Sequence, residues 1–589
     1  MIADKNNELI LQGISGSPGI CIGKAYLVDK EGVDVVEKYY ISQAAVEKEK
    51  TRFKIAVKKT SDELREIIDG TPANYRQHAH ILETHLIMLK DKKLYNKLIH
   101  IIEYERVNAE WALKKVVSEI KPLFQKMSAS YLKERADDIV QVADRVMMNL
   151  KGADPEDIST ISKRVILVAR DLSPAETSQI QLEKIKGFVT DRGGVTSHTG
   201  IIARALGIPA VMGLEKATSL VKNEDIIIVD GSTGQLVINP SEQTLIEFGE
   251  RQNRYNQYKT VIAQDSHLPA ITTDGIKISI QGNIELPEEV VGVLDNGGEG
   301  IGLYRTEFQY LSRAVFPYEN ELFEKYKEVI EIMSQRPVTI RTLDINGDKA
   351  ITGVVDLEEA NPVLGLRAIR YCLKNEDVFK TQLRAILRAA AFGRVRLLLP
   401  LISSITEVIA TKNILNEVAD SLEHDKIEYD RKIEVGIMIE VPSAVIMADQ
   451  LAKEVDFFSI GTNDLIQYTM AIDRGNRYVG HMYNPLQPVI IRMIDHVIRA
   501  AQKANIEVSI CGEMAGDPFN IPILLGLGFK DLSMNPQSIP AVKSMLRSLD
   551  YSEAKQFAAE VLKQTTVPAI IELINNNYGS ILKDKIYKG

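Results

Sequence analysis

The spacing of apolar positions changes from strand-like to helical early in the chain. Residues 9–28 contain short β-like runs separated by glycines, which predict strands joined by tight turns. From about residue 40 to 150, apolar residues recur at helical spacing on three stripes and no series of strands is visible. The stripes are Ile81, Leu82, His85, Leu86 and Leu89; Trp111, Ala112, Val116 and Ile120; and Ile139, Val142, Val146, Met147 and Leu150. This stretch predicts a subdomain of antiparallel helices.

Strand-like runs return after the helical stretch, at 165–168, 187–190, 225–230 and 235–238. The simplest arrangement is one α/β domain into which the helical subdomain is inserted after the first strands. A polar, helix-prone stretch follows, which we interpret as a linker.

The second half of the chain has a regular alternation of short β-branched runs and helical patterns. The runs are Ile276–Ile280, Gly300–Leu303, Val338–Ile340, Val395–Leu399, Val435–Ile439, Phe457–Ile460, Val508–Ile510 and a run near Leu532. Eight strands that alternate with helices predict a (β/α)₈ barrel. A doubly wound open sheet is the alternative layout.

The chain is therefore predicted to be a multidomain α/β protein. Residues 1–35 and 151–240 are assigned to the α/β domain and residues 36–150 to the inserted helical subdomain. Residues 241–265 are assigned to the linker, and 266–589 to a C-terminal (β/α)₈ barrel.

Composition restricts the function classes. A chain of 589 residues is too long for one core, and a formal charge of -9 with pI near 5.7 argues against nucleic acid or an anionic membrane as partner. The three cysteines, Cys21, Cys372 and Cys511, have no paired spacing, which favours a reducing compartment. The polar N-terminus resembles no signal peptide and no apolar run is long enough to span a bilayer, so we expect a cytoplasmic protein without membrane insertion.

One histidine stands in a motif suited to phosphoryl chemistry. The stretch 193–200, Gly-Gly-Val-Thr-Ser-His-Thr-Gly, follows a strand-like run and precedes a short helix-compatible stretch. This order predicts that His198 lies in or near the first turn of a helix, where backbone N–H groups favour an anion. A neutral imidazole there could attack phosphorus. Taken alone, a histidine that caps a loop is the alternative.

Charged and polar side chains follow the predicted barrel strands. They are Arg305, Glu307, Arg341, Asp344, Glu440, Asn463, Asp464 and Cys511, with Arg474 a little beyond the sixth strand. Because the carboxyl ends of barrel strands form one face, these residues are predicted to converge there. Glu440 and Asp464 are oxygen ligands of the kind that Mg²⁺ uses. The arginines suit phosphate and carboxylate groups, and Cys511 could deliver a proton.

Four motifs together resemble those of Enzyme I of the bacterial phosphoenolpyruvate:sugar phosphotransferase system, and the resemblance extends over essentially the whole chain. The phosphohistidine signature is similar to residues 193–199 with 202–204. Residues 300–308 resemble the segment that holds the family's first substrate arginine. Residues 458–465 with 473–476 resemble the family's second signature, and residues 510–517 resemble its cysteine loop.

The resemblance implies a role for each candidate. His198 would be the phosphoryl acceptor, and Cys511 would protonate the enolate left after transfer, which gives pyruvate. Mg²⁺ would be held by Glu440 and Asp464. The implied phosphoenolpyruvate ligands are Arg305, Arg341, Asn463, Asp464 and Arg474, with Arg367 as a weaker candidate for a further phosphate contact. The helical insertion resembles the docking domain for the phosphocarrier protein HPr, and the family suggests a homodimer formed through the barrel.

Two residues depart from the family pattern near the histidine. Val195 stands where the family commonly has arginine, and Gly200 where alanine or serine is expected. The missing positive charge at Val195 bears on the rate and stability of phosphorylation more than on its existence. Gly200 loosens the helix start by about 1 kcal/mol relative to alanine but removes no chemical group.

Three alternative interpretations fit the sequence less well. His78, His80 and His85 could suggest a metal site, but a polar helix face fits their spacing better. A pyruvate phosphate dikinase or phosphoenolpyruvate synthase would need a nucleotide-binding domain for which the chain has no room. A non-catalytic regulatory relative is expected to have lost at least one of the key residues, and all are present.

Overall fold

A computed structural model gives the arrangement of most of the chain. The described residues are 8–28, 39–70, 85–86, 88–89, 92–126, 139, 142–150, 164–171, 184–193, 199–200, 203, 207–310, 316–345, 361–473 and 479–585. They fall into two compact units that divide between Tyr255 and Asn256. No helix in the described ranges combines the length and the apolar character needed to cross a bilayer.

The first unit is built on a mixed sheet, in which eight described strands have the order β1-β8-β7-β3-β4-β5-β6-β2. The strands are β1 (Leu9–Gln12), β2 (Ile14–Ser17), β3 (Ile20–Leu27), β4 (Val165–Ala169), β5 (Ile185–Thr190), β6 (Ala210–Met212), β7 (Ile226–Asp230) and β8 (Gln235–Ile238). Strands β3 to β6 pair in parallel and the other pairs are antiparallel. The buried runs of β4 and β5 correspond to the predicted ones, while the three-residue β6 was not predicted.

Helices occupy the stretch between β3 and β4. Those with described bounds are α1 (Val46–Gly70), α2 (Lys92–Glu105) and α3 (Ala109–Lys126). Phe53, Ile102 and Val116 from these helices share a buried core with Val146 and Met147. The second and third predicted stripes therefore face a common interior, whereas Ile81 and Leu82 of the first stripe lie outside the described residues. His85, which the spacing assigns to a polar helix face, is instead buried at 2 % exposure, while His78 and His80 lie outside the described residues.

Two further helices complete the description of the chain before the barrel: α4 (Ala217–Leu220) and α5 (Glu242–Gln264). The stretch predicted as a linker is thus mostly a helix. The domain boundaries proposed from the sequence stay a prediction.

The second unit contains a closed barrel of eight parallel strands in sequence order. The strands are β9 (Ser279–Ile284), β10 (Ile301–Tyr304), β11 (Val338–Arg341), β12 (Val395–Leu399), β13 (Glu434–Ile439), β14 (Phe457–Ile460), β15 (Glu507–Ile510) and β16 (Asp531–Met534). Closure confirms the predicted barrel and excludes the open sheet.

Helices alternate with the barrel strands and form one large apolar core with their outer faces. They are α6 (Glu289–Asp295), α7 (Glu319–Met333), α8 (Ala368–Lys374), α9 (Glu376–Ala390), α10 (Ile405–His424), α11 (Pro442–Ile446), α12 (Ala448–Leu451), α13 (Thr462–Met470), α14 (Pro488–Ala504), α15 (Ile521–Leu527), α16 (Ile539–Leu546), α17 (Tyr551–Val561) and α18 (Val567–Lys585).

The predicted first barrel strand is displaced. It was placed at Ile276–Ile280, whereas β9 spans Ser279–Ile284. Residues just before β9 pair instead with the preceding segment, through an antiparallel bridge between Lys277 and Ile271 and a hydrogen bond from the Ile278 N–H to the Ala270 carbonyl. The carboxyl end of the first strand therefore lies four residues later than predicted.

Candidate active site

The barrel brings most of the predicted site residues to one end. Arg341 is the last residue of β11, and Arg305, Glu440 and Cys511 directly follow β10, β13 and β15. Asp464 lies in the first turn of α13, just after β14. Because all eight strands are parallel, these positions share the carboxyl face of the barrel.

Arg341 is held by carboxylates on two sides. Its Nη2 donates to Glu307 Oε1 at 2.9 Å, and its Nη1 lies 3.2 Å from Asp344 Oδ2. The residue is only 8 % exposed. Burial lowers the pKa of the guanidinium, but the two carboxylates more than offset this, so the pKa of Arg341 is raised. Its positive charge is therefore fixed in place before any ligand arrives.

Arg367, the weaker candidate, belongs to the same cluster. Its Nη2 donates to both carboxylate oxygens of Asp344, at 2.9 and 3.1 Å, and its Nη1 donates to Tyr468 Oη at 3.1 Å. The same Nη2 lies 3.8 Å from Asp464 Oδ2. Tyr468 was not predicted, since a tyrosine one helical turn after Asp464 has no distinguishing pattern.

Arg305 lies at the more open side of the cluster. Its side chain is 37 % exposed, and its Nη1 donates to Glu285 Oε1 at 2.6 Å. Glu285 directly follows β9 and was missed because that strand was placed too early. With correct strand bounds, it would have been counted among the residues of the carboxyl face.

Glu440 is the most buried carboxylate of the cluster, at 1 % exposure. Its Oε1 accepts the Leu401 N–H at 2.6 Å, and a Cβ on Gly461 would lie 2.8 Å from its Oε2. Burial, and then the negative charges of Asp464 and Asp344, raise the pKa of Glu440 to about 8. The negative charges of these neighbouring carboxylates therefore favour the binding of an additional cation.

Cys511 lies at the inner edge of the site. It is 3 % exposed and packs with Leu303, Leu398, Met438 and Phe457 inside the barrel. Its carbonyl accepts from Asn283 Nδ2 at 2.8 Å. Burial raises the pKa of the thiol, so the sulfur keeps its proton at neutral pH and can serve as an acid.

Asn463 connects two neighbouring strand ends. Its Oδ1 accepts the Glu513 N–H at 3.1 Å and its Nδ2 donates to Glu513 Oε1 at 3.3 Å. Asn463 and Glu513 also line a cavity of about 280 Å³, together with Tyr483 and Asn520. The loop after β15 is thereby fixed against the start of α13.

Two predicted residues, His198 and Arg474, lie outside the described residues. Hydrogen bonds hold residues 190–192, which precede His198 in the chain. Asp191 Oδ1 accepts the Ala217 N–H at 2.5 Å, and Thr190 Oγ1 donates to the Arg192 carbonyl at 2.7 Å. Gly193 has φ +95°, a conformation that favours glycine.

Comparisons with known proteins match regions in both units of the chain. Three family models match the chain: the PEP-utilising enzyme N-terminal domain at residues 12–135, the mobile domain at 161–234 and the PEP-binding domain at 259–551. The PEP-binding match covers every barrel strand and the whole described cluster.

Curated relatives match over nearly their full length. Phosphoenolpyruvate-protein phosphotransferases from Bacillus sp. (strain S) and Geobacillus stearothermophilus are each 44 % identical over 97 % of this chain and 98 % of their own. That of Bacillus subtilis (strain 168) is 43 % identical over 96 % of this chain and 99 % of its own. A solved NMR structure of an Enzyme I protein, nEIt, is 38 % identical over 42 % of this chain and 99 % of its own, with a TM-score of 0.36, too low to support a structural argument. The identity with these curated relatives over nearly the whole chain shows that the chain belongs to the enzyme family of phosphoenolpyruvate-protein phosphotransferases.

Proposed function

We propose that this enzyme transfers the phosphoryl group of phosphoenolpyruvate to its own His198 and releases pyruvate. The group then passes to a histidine of the carrier protein HPr, as the first step of phosphotransferase-system sugar uptake. The observation that carries the proposal is the convergence of Arg305, Arg341 and Arg367 with the Glu440–Asp464 carboxylates and the Cys511 thiol on one barrel face.

The arginines suit an anion that carries both a phosphoryl group and a carboxylate. Arg341 and Arg367 are nearly buried, with side chains 10 % and 12 % exposed, whereas Arg305 is more open. Charge-assisted hydrogen bonds of guanidinium to phosphate contribute about 1.5–3 kcal/mol each. Arg474 and Asn463 complete the proposed substrate set. In-line transfer from such a site depends mainly on positioning and on neutralising the phosphoryl oxygens.

The carboxylates fit a magnesium ion that is completed by substrate. Within the described part of the chain, no three His, Cys, Asp or Glu side chains come together as a ready-made metal-binding group. Mg²⁺ commonly uses one or two carboxylates plus substrate phosphates and water. Burial is the main cause of the raised pKa of Glu440, and the negative charges of Asp464 and Asp344 add to it. We propose Glu440 and Asp464 as the ligands of Mg²⁺. When bound, the ion would neutralise phosphoryl oxygens.

The remaining steps involve parts of the chain beyond the barrel. A neutral His198 imidazole nitrogen attacks phosphorus, so that an N–P bond forms while the P–O bond to the enolate oxygen breaks. The enolate that leaves then takes a proton from Cys511 at its terminal carbon. We propose that the helical subdomain, residues 36–150, docks HPr. We also propose that residues 241–265 act as a linker. They would connect the α/β domain, formed by residues 1–35 and 151–240, to the barrel at 266–589.

A homodimer through the barrel is part of the proposal. Apolar side chains remain exposed on the second unit, among them Leu364 at 65 %, Ile446 at 71 % and Met482 at 44 %. Helix α11, which ends at Ile446, packs against α14. We further propose a cytoplasmic location and no nucleic-acid partner, in keeping with the acidic composition.

The direct test is phosphoryl labelling of the full-length protein. Incubation with phosphoenolpyruvate labelled on phosphorus, with Mg²⁺, should give protein-bound phosphate that is labile in acid and stable in base. Addition of HPr should discharge the label onto the carrier, and pyruvate should form catalytically. If no such phosphate appears and no pyruvate accumulates, the proposed function is wrong.

The metal requirement gives a separate prediction. Chelation should abolish pyruvate formation, and Glu440→Gln should raise the Mg²⁺ concentration for half-maximal activity at least tenfold, because a neutral amide is a poorer ligand. The amide oxygen can still accept the Leu401 N–H, so the fold should persist. Glu513→Gln, on the same face but outside the proposed ligand pair, is the matched control. Equal Mg²⁺ requirements for the Glu440 variant and the wild type would contradict the assignment.

A further inference from the structure

A serine hydroxyl lies against the sulfur of Cys511 inside the barrel. Ser459 on β14 is fully buried, and its Oγ donates to Cys511 Sγ at 3.3 Å. Strands β14 and β15 pair in parallel, with Ile460 opposite Ile510, which brings the two side chains together on adjacent strands. The Cys511 Sγ also donates to the Ile460 carbonyl at 3.6 Å.

Packing alone does not account for this hydroxyl. Cys511 and the apolar side chains of Met438 and Phe457 form one cluster at this level of the barrel. A hydroxyl buried in an apolar environment is costly unless it makes a hydrogen bond. Among the described residues, the Ser459 hydroxyl makes no other side-chain hydrogen bond than the one to the thiol. Its role is therefore tied to the sulfur.

We propose that Ser459 is a positioning residue for the proton transfer from Cys511, in which its hydroxyl orients the thiol and then stabilises the thiolate that forms. This rests on the proposed function. In the step, the S–H bond breaks and a C–H bond forms at the terminal carbon of the enolate. The S–H electron pair stays on sulfur, so the negative charge passes from the enolate to Cys511. Ser459 keeps its own proton, and the thiolate regains one from water.

The charged groups that face the sulfur come from three other strand ends. Burial has the largest effect and raises the pKa of the Cys511 thiol, and Glu440, after β13, raises it further. The Ser459 hydrogen bond lowers the pKa, as do Arg341 on β11 and Arg305 after β10. The two arginines are also proposed substrate ligands, whereas the Ser459 hydroxyl donates its hydrogen bond to the sulfur. The proposed role of Ser459 therefore concerns the thiolate and not the binding of substrate.

The test compares Ser459→Ala with Ser509→Ala in the full-length protein. Ser509, on β15, lies two residues before Cys511, and its hydroxyl donates to the Phe458 carbonyl at 3.4 Å rather than to the thiol. The pH dependence of Cys511 alkylation by iodoacetamide, without phosphoenolpyruvate, is read by mass spectrometry of the Cys511 peptide. Ser459→Ala should move the midpoint up by about one pH unit, the effect of one hydrogen bond to a charged group. Ser509→Ala should leave it unchanged.

Steady-state kinetics supply the second reading. Ser459→Ala should lower kcat for pyruvate formation about tenfold and leave the KM for phosphoenolpyruvate unchanged, because the hydroxyl touches the acid and not the substrate. Ser459→Cys, which replaces a strong donor by a weak one, should shift both readings in the same direction and serves if the alanine variant does not fold. An unmoved alkylation midpoint, with normal pyruvate formation by the wild type, overturns the role of Ser459 alone. Absence of pyruvate from the wild type overturns the proposed function itself.

Discussion

The His198→Ala variant should accept no phosphoryl group from phosphoenolpyruvate and should form no pyruvate. Alanine has no nucleophilic atom, and the barrel residues provide charge neutralisation and a proton but no acceptor for phosphorus. Mass spectrometry of the intact protein and the acid-labile, base-stable label measure acceptance. Calorimetric titration of His198→Ala with phosphoenolpyruvate and Mg²⁺ should still show binding, because the barrel cluster is unchanged.

A matched variant separates this effect from a general loss of histidine. His424 lies exposed in the last turn of α10, at the end of the barrel opposite the strand carboxyl ends. His424→Ala should label like the wild type. Base-stable phosphate on His198→Ala would refute the assignment of His198.

The barrel was largely predictable because its strands are buried on both faces. Such strands are near-continuous apolar runs, and the predicted Val395–Leu399 and Phe457–Ile460 coincide with β12 and β14. Strand β9 breaks this rule. The strand contains Gln281 and Asn283, whose polar side chains donate to partners at other strand ends, so no apolar run marks where it ends. The error in strand bounds then removed Asn283 and Glu285 from the predicted site.

The partners within the site were less predictable than its members. Strand ends place Arg341, Glu440 and Cys511 on one face without further information. The hydrogen bond from Ser459 to the thiol depends on the register of β14 against β15, which apolar runs do not specify. The bidentate contact of Arg367 with Asp344 likewise joins a helix start to a strand end that lie 23 residues apart.

The Arg341→Met variant should lose both activity and stability. Methionine keeps much of the side-chain length but removes the guanidinium, and two charge-assisted hydrogen bonds to substrate at about 1.5–3 kcal/mol each correspond to a fall in kcat/KM of about 10²–10⁴. The change also leaves Glu307 without its guanidinium partner at 2.9 Å, while Asp344 keeps Arg367. Breaking a buried ion pair in this way typically costs about 3–5 kcal/mol of unfolding free energy.

The loss of stability in Arg341→Met should depend on pH. A variant of a second buried arginine separates the loss of substrate binding from the loss of stability. Burial raises the pKa of Glu307 and Arg341 opposes this, so the pKa rises further in the variant. A carboxyl whose pKa is raised in the folded state binds more protons there, so stability falls as pH increases. The deficit in urea unfolding should therefore be larger at pH 8 than at pH 5. Arg396, at the amino end of β12, is buried to a similar degree, at 9 % exposure, and is likewise paired with two carboxylates, those of Glu434 and Glu507. Arg396→Met should lose stability and keep its KM for phosphoenolpyruvate. Equal kcat/KM in the two variants would show that the loss at Arg341 reflects folding rather than substrate binding.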